Sequence, residues 1–106
     1  MVESASQINS IRFTSEQDCN FIVCTATGFR IHETTSGKLL KACHAFEGGL
    51  MHCRPLGRSN IFMVVGTGKA ASEERNRLVV WDDAVGKRVG SVQFHRSIVD
   101  IWTEGT

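Results

Sequence analysis

Apolar and polar residues alternate over short stretches of this chain, and clusters of turn-forming residues separate the stretches. Phe29 and Ile31, for example, alternate with Arg30 and His32, which is the period-two pattern of a strand that buries one face. The same reasoning predicts strands at 8–13, 21–25, 29–32 and 40–45, and again at 50–56, 61–65, 78–81 and 88–94. Residues 72–77 would make at most one helical turn. The predicted fold class is therefore all-β.

The second half of the chain repeats the pattern of the first. Segment 32–38 aligns without a gap with segment 81–87, 49 positions later, and each ends in Gly-Lys before a further strand. A period in this range is typical of stacked supersecondary units that cannot bury a core alone, and a Trp-Asp pair before a turn is typical of propeller blades. We therefore expect a β-propeller fragment of two four-stranded antiparallel blades plus the first strand of a third. The predicted boundaries are a lead-in at 1–7, blades at 8–46 and 47–95, and the start of a third blade at 96–106.

Four residues of the second unit are expected to serve structure. The indole of Trp81 should pack between neighbouring sheets, and Asp82 should accept hydrogen bonds from backbone donors of the following turn. Gly48 and Gly49 lead into the first strand of this unit. A catalytic role for Asp82 would require a positioned partner such as His or Ser, and the nearby sequence offers none.

Composition and charge narrow the function classes. The chain has 106 residues, 42% hydrophobic and 22% charged, with a net charge of +1, which suits a globular domain and offers no basic stripe for a nucleic acid. The first residues lack the basic and apolar regions of a secretory signal. The surroundings of the four cysteines (Cys19, Cys24, Cys43 and Cys53) are mostly apolar and strand-like, which favours buried free thiols. We expect a cytoplasmic protein.

Two sequence patterns resemble ligand-binding or metal-binding sites, but neither has the spacing that such a site requires. Gly66-Thr67-Gly68-Lys69 could cradle an anion, but a nucleotide-binding loop needs four residues between its glycine and the Gly-Lys-Ser/Thr, followed by a helix. The set Cys43, His44, His52 and Cys53 offers zinc-type ligands, yet neighbouring residues of a strand point to opposite faces. Cys24 and Cys43 as nucleophiles would need a cationic neighbour that lowers the thiol pKa. We expect no catalytic residue, no metal and no cofactor.

The order of several motifs resembles one family of propellers. Segments 8–13, 28–31 and 46–49, then 60–61, 65–69 and 80–83, are similar to the first two blades of the PROPPINs. The resemblance covers about residues 8–103. It implies a non-enzymatic, seven-bladed, WD-repeat-like propeller that binds phosphoinositides at the periphery of endosomal or autophagic membranes and acts in autophagy. The family binds lipid through a Phe/Leu-Arg-Arg-Gly motif late in the ring. This chain has no Arg-Arg pair, so no lipid-binding residue is assigned in it.

The resemblance also implies that early blades dock autophagy proteins, including a lipid-transfer protein and a conjugation scaffold. One family contact uses an Asn-x-Asp segment after the first strand. The corresponding segment here, 14–18, is one residue longer and lacks the Asn but keeps two acidic residues. The candidate partner-binding residues are Glu16, Asp18, Lys69, Lys87 and Arg88. The alternative interpretation is a generic WD-repeat scaffold in an unrelated complex with no lipid role. In either case we expect the isolated chain to self-associate through uncovered sheet faces.

Overall fold

Eight strands and no helix make up the part of the chain that the computed structural model describes, namely residues 8–13, 20–57, 59–71 and 73–101. The strands of the first half are β1 (Ile8–Phe13), β2 (Asn20–Thr25), β3 (Phe29–Glu33) and β4 (Leu39–Cys43). Those of the second half are β5 (Leu50–Pro55), β6 (Ile61–Gly66), β7 (Arg77–Asp82) and β8 (Lys87–Gln93). Each predicted strand is present, with ends that differ from the prediction by at most two residues.

The strands form two four-stranded antiparallel sheets, ordered β1-β2-β3-β4 and β5-β6-β7-β8. Each sheet is a meander of consecutive hairpins, as in a propeller blade. Both first strands carry a register shift near their start, between Ile8 and Ser10 in β1 and between Leu50 and His52 in β5. The all-β fold class and the two-blade architecture are thus confirmed.

One hydrophobic core lies between the two sheets. The first sheet contributes Phe29 and the second Trp81, while Phe46 from the connection fills the space between them, and all three are at most 5% exposed. The Phe46 ring lies 6.4 Å from the Phe29 ring and 4.8 Å from the Trp81 indole. The other members of the core are Ile22, Cys24, Leu50, Cys53, Phe62, Val64 and Val79. Each sheet thus buries one face against the other, which neither could do alone.

Polar contacts join the two sheets at their first strands. The Asn9 side-chain amide donates to the Leu50 carbonyl at 2.8 Å, and the Ser10 hydroxyl donates to the Met51 carbonyl at 2.7 Å. Asn9 also donates to the Thr25 carbonyl at 3.1 Å. These bonds hold β1 and β5 side by side although the two strands belong to different sheets.

The two glycines at the entry to β5 are required by the backbone. Gly48 and Gly49 have φ values of 80° and 85°, a left-handed conformation that residues with a Cβ rarely adopt. A Cβ on Gly49 would lie 2.5 Å from the Thr25 carbonyl oxygen, and one on Gly48 would lie 2.9 Å from the Ala70 nitrogen. The connection between the sheets therefore passes too close to other backbone for any larger residue.

The predicted start of a third blade at 96–106 stays a prediction. Residues 97–101 form no regular strand, and 102–106 lie outside the described residues. An innermost strand needs a second strand to pair with, and the described part of the chain supplies none beyond β8. The Ile98 N–H instead donates to the Arg75 carbonyl at 2.8 Å, and Ile101 is buried. In the described residues, no helix is long and apolar enough to cross a bilayer.

Candidate functional site

Three of the five predicted partner-binding residues lie in the described part of the chain. Lys69 is in the loop between β6 and β7, and Lys87 and Arg88 begin β8. The side chains of Lys69 and Lys87 are exposed. Glu16 and Asp18 lie outside the described residues. The partner-binding role of all five residues therefore stays a prediction.

Arg88 has an internal partner that the sequence did not indicate. Its Nη1 donates to Glu73 Oε1 at 3.1 Å, and its Nη2 contacts Glu73 Oε2. Its guanidinium carbon lies 5.5 Å from the centre of the Phe46 ring, within cation–π range. The Glu73 side chain is only 2% exposed, whereas Arg88 is 38% exposed. Arg88 thus compensates a buried carboxylate while part of its side chain remains at the surface.

The loop between β6 and β7 is held against the second sheet by its own backbone. The Gly68 N–H donates to the Glu73 carbonyl at 2.8 Å, and the Glu73 N–H donates to the Ala70 carbonyl at 3.0 Å. A Cβ on Gly66 would lie 2.3 Å from the Glu73 Cβ. The Lys69 N–H donates to the Thr67 hydroxyl at 3.2 Å. Since the amides of Gly68 and Lys69 are engaged within the loop, they do not form the anion cradle that a nucleotide-binding loop requires.

The Trp-Asp pair lies at the contact between the two blades. The Trp81 Nε1–H donates to Asp83 Oδ1 at 3.0 Å, and Lys41 Nζ from β4 lies 2.5 Å from Asp83 Oδ2. Asp82 Oδ1 accepts from the Ala84 N–H at 3.0 Å and closes the turn before β8. Trp81, Asp82 and Asp83 therefore connect the core, the turn and the neighbouring sheet.

A partly enclosed cavity of about 90 Å³ lies beside the first strands of the two blades. We call it the inner cleft; its polar side chains are Ser10, Arg12, His52, Arg54 and Asp100, and Ile11, Ile22, Cys24 and Cys53 complete the lining. Arg12 Nη2 lies 3.0 and 3.1 Å from the two oxygens of Asp100. The cleft thus gathers basic groups from both sheets beside one acidic group from the segment after β8.

His52 sits in this cleft as a neutral imidazole at neutral pH. Burial lowers its pKa below the ordinary 6.5, and Arg75 and Arg12 lower it further, whereas Asp100 and a hydrogen bond with the Ile98 backbone act in the opposite direction. Its Nε2 is buried without a hydrogen-bond partner. The net effect is a pKa below 6.5.

The charges of the neighbouring groups are set by the same contacts. Burial lowers the pKa of Arg54, and the nearby Arg12 adds to that effect, although a guanidinium remains charged at neutral pH. Burial raises the pKa of Asp100, but hydrogen bonds from the Ile101 N–H and from Arg12 outweigh it, so the pKa of Asp100 lies below its usual range. The cleft therefore holds two cationic side chains, one carboxylate and a neutral imidazole.

The described cysteines are free and protonated. Cys24, Cys43 and Cys53 form no disulfide, and Cys19 lies outside the described residues. Burial raises the pKa of the Cys24 thiol to about 11, and it also raises the pKa of Cys43 and Cys53. Thiols with raised pKa values make poor nucleophiles at neutral pH.

Of the four residues considered as zinc ligands, Cys43 and Cys53 both adjoin the hydrophobic core. His44 Nδ1 instead lies 2.8 Å from the Thr27 hydroxyl. Among the described residues, no group of three or more His, Cys, Asp or Glu side chains is placed to hold a metal ion.

The inner cleft was not anticipated from the sequence, although a signal for it exists. Arg12 and Arg54 occupy corresponding positions of β1 and β5. Each lies two residues after the first paired residue that follows the register shift of its strand. Ser10 and His52 correspond in the same way. A comparison of the two first strands residue by residue would have shown that the repeat places an arginine at the same point of each blade.

Curated proteins with a similar sequence include SVP1-like protein 2 of several fungi. The chain is 39% identical over 83 residues to SVP1-like protein 2 of Neurospora crassa and 34% identical over 101 residues to SVP1-like protein 2 of Saccharomyces cerevisiae. These matches cover 78% and 88% of this chain but 19% and 22% of the two relatives. The chain thus spans about a fifth of the length of these relatives. No family model matches it.

Solved structures with a similar fold include two of Hsv2. Hsv2 of Kluyveromyces lactis matches 92% of this chain with a TM-score of 0.74 at 21% identity, and a second Hsv2 crystal structure matches with the same TM-score at 18% identity. This chain covers 28% of each. At such identities the likeness concerns the fold. Together with the curated relatives, it supports a PROPPIN-like relationship.

Proposed function

We propose that this chain forms the first two blades of a PROPPIN-like propeller, a non-enzymatic protein that binds phosphoinositides and recruits protein partners. The observation that carries the proposal is the combination of two meander sheets with a sequence similar to SVP1-like protein 2 over most of the chain. In this proposal the parent protein is cytoplasmic and associates with endosomal or autophagic membranes from outside the bilayer.

Within such a protein these blades supply structure and a docking surface, and the lipid headgroup binds elsewhere. The exposed ammonium groups of Lys69 and Lys87 would attract acidic segments of a partner, since surface charges steer association. Arg88 contributes less to that surface, because its guanidinium already contacts Glu73 and Phe46. The acidic pair Glu16 and Asp18 would form a second contact of opposite charge.

Vesicle flotation tests whether the lipid-binding site lies outside these two blades. The 106-residue chain is mixed with phosphatidylcholine vesicles that contain or lack phosphatidylinositol 3-phosphate, in parallel with the parent protein that carries the Phe/Leu-Arg-Arg-Gly motif. We expect the parent to float only with the phosphoinositide vesicles and the chain alone to stay at the bottom with both. Specific flotation of the chain alone with phosphoinositide vesicles would contradict the proposal that the lipid site lies outside these blades. A parent protein that lacks the motif, or that does not bind the phosphoinositide vesicles, would favour the generic WD-repeat scaffold.

A further inference from the structure

We propose that the inner cleft is a binding site for a small soluble phosphate, held between the first strands of the two blades. The site is separate from the lipid-binding motif discussed above, and the inference does not depend on the proposed membrane role. It rests on the charge, the unsatisfied hydrogen-bonding atoms and the size of the cleft.

The charge of the cleft favours an anion. Arg12 and Arg54 line it, and Arg75 is close enough to influence His52 electrostatically. Asp100 is the one acidic side chain in the lining and binds Arg12. Two guanidiniums in the lining beside one carboxylate leave an excess of positive charge, and Arg pairs well with the oxygens of phosphate.

Polar atoms of these side chains are buried without a partner. In the lining they are Arg54 Nε and His52 Nε2. Buried polar atoms in folded proteins nearly always have a hydrogen-bond partner, and exceptions call for a water, an ion or a functional role. Side-chain adjustment around a bound anion would allow these atoms to be satisfied.

The mixture of donors and acceptors distinguishes phosphate from carboxylate. Arg54 can only donate, whereas His52 already hydrogen-bonds the Ile98 backbone and, as a neutral ring, accepts at its remaining nitrogen. A monoprotonated phosphate offers acceptor oxygens and one hydroxyl donor, but an ionised carboxylate offers acceptors only. A phosphate group also carries a charge of about −1.5 to −2 at neutral pH, so the arginines attract it more strongly than they attract a singly charged carboxylate.

The size of the cleft limits the ligand. Its volume of about 90 Å³ is larger than a single water needs, which is about 10–15 Å³ on this scale. It is smaller than the roughly 300–1,000 Å³ of pockets that enclose drug-sized ligands. One phosphate group fits this range, and a nucleotide does not. The hydrogen bonds of Asn9 and Ser10 to β5 hold the two walls together.

The test is a titration of the 106-residue chain with inorganic phosphate, followed by NMR of the histidine rings. We expect saturable shifts of the His52 ring resonances, with little change at His95, which is exposed and does not line the cleft. This readout uses the unaltered chain, so it does not depend on any variant folding. Equal, non-saturating shifts at both histidines would overturn the proposal.

Variants locate the site. Arg54→Gln should weaken phosphate binding by about tenfold or more, because a charge-assisted hydrogen bond is lost. Arg96→Gln removes an exposed arginine that does not line the cleft and should leave the affinity within about twofold. Equal affinities of the two variants would contradict the assignment.

Two further titrations compare inorganic phosphate with other anionic ligands, namely acetate and phosphoinositide vesicles. Acetate should bind more weakly than phosphate, and equal binding would contradict the hydroxyl-donor argument. Phosphoinositide vesicles should not displace inorganic phosphate from His52, since the cleft is partly enclosed. Displacement would show that the cleft binds a lipid headgroup instead of a soluble phosphate, and it would overturn the proposal. Failure of phosphate binding would leave the flotation result of the parent protein unaffected, so the two proposals can fail separately.

Discussion

Glu73 and Arg88 show how one residue can stabilise a whole loop. Glu73 belongs to the loop between β6 and β7, its carboxylate is almost fully buried, and Arg88 contacts it from the last strand of the sheet. Burial of a carboxylate is strongly unfavourable unless a cation and hydrogen bonds compensate it. The position of the loop therefore depends on a residue that the sequence had suggested as a contact for partners.

Replacement of Arg88 should destabilise the chain. Arg88→Gln leaves the Glu73 carboxylate buried without its cation, and we expect a loss of about 2 kcal/mol in the free energy of unfolding, below the 3–5 kcal/mol of fully buried pairs because Arg88 is partly exposed. Urea denaturation measures it. Lys87→Gln, at the exposed neighbouring position, should change stability by less than about 0.5 kcal/mol. Equal urea midpoints for the two variants would show that Glu73 does not need Arg88.

The sequence could not reveal this pair, and the reason is physical. Residues 66–76 are mostly small or polar and carry no periodic pattern, so nothing local distinguishes the buried Glu73 from the half-buried Glu74. The burial of Glu73 follows from the absence of a side chain at Gly66, which lets the loop backbone approach the sheet. Such a contact between a loop and the end of a strand depends on the three-dimensional path of the chain.

At the level of the strands, prediction from the sequence succeeded because alternation and turn residues agree. The turn at 83–86 follows a Trp-Asp pair and ends at a glycine with a φ of 67°, so both local chemistry and pattern place β7 and β8. The predicted strand at 40–45 instead begins one residue earlier and ends at Cys43. The chain leaves the sheet there because Phe46 must turn into the core between the blades, where it contacts Phe29 and Trp81.

The connection between the blades is intolerant of a side chain at Gly49. Gly49→Ala combines a left-handed φ with a Cβ that would lie 2.5 Å from the Thr25 carbonyl oxygen, so we expect a loss of more than about 3 kcal/mol. Gly86→Ala is the matched control, since its φ is also positive but nothing lies within 4 Å of the added Cβ. It should cost only about 1–2 kcal/mol. Thermal unfolding followed by circular dichroism ranks the two, and equal costs would mean that the close approach at Gly49 is relieved by a small backbone movement.

At the scale of the whole molecule, the inner cleft and the core both arise from placing two similar sheets side by side. The core could be predicted, since each sheet has an apolar face that must be covered. For the cleft, the sequence offers only the corresponding positions of Arg12 and Arg54 in the two first strands. It does not show that Asp100 joins them, because that contact depends on the three-dimensional path of the chain after β8. The repeated architecture thus also places an arginine at equivalent points of the first strands of the two sheets.

Each blade also keeps one face that the other blade does not cover. On the first sheet, Ile11 and Phe13 are 57% and 65% exposed. Beyond the second sheet, Val99 is 81% exposed and borders an apolar groove with Leu78 and Phe94. Exposed apolar patches of this kind usually bind a partner. A second copy of this chain offers a complementary apolar face at each end, so copies can stack head to tail.

We therefore expect the isolated chain to self-associate. Light scattering coupled to size-exclusion chromatography should give a mass above the 11.7 kDa of one chain, and the mass should rise with protein concentration because the contact joins separate molecules. Phe13→Lys and Val99→Lys each place a charge on one of the two uncovered faces and should each lower the mass toward that of a monomer. Val85→Lys alters a residue that is equally apolar and 59% exposed but lies in the turn before β8, and it should leave the mass unchanged. A monomer at every concentration, or an equal effect of Val85→Lys, would show that the sheet faces do not bring copies together.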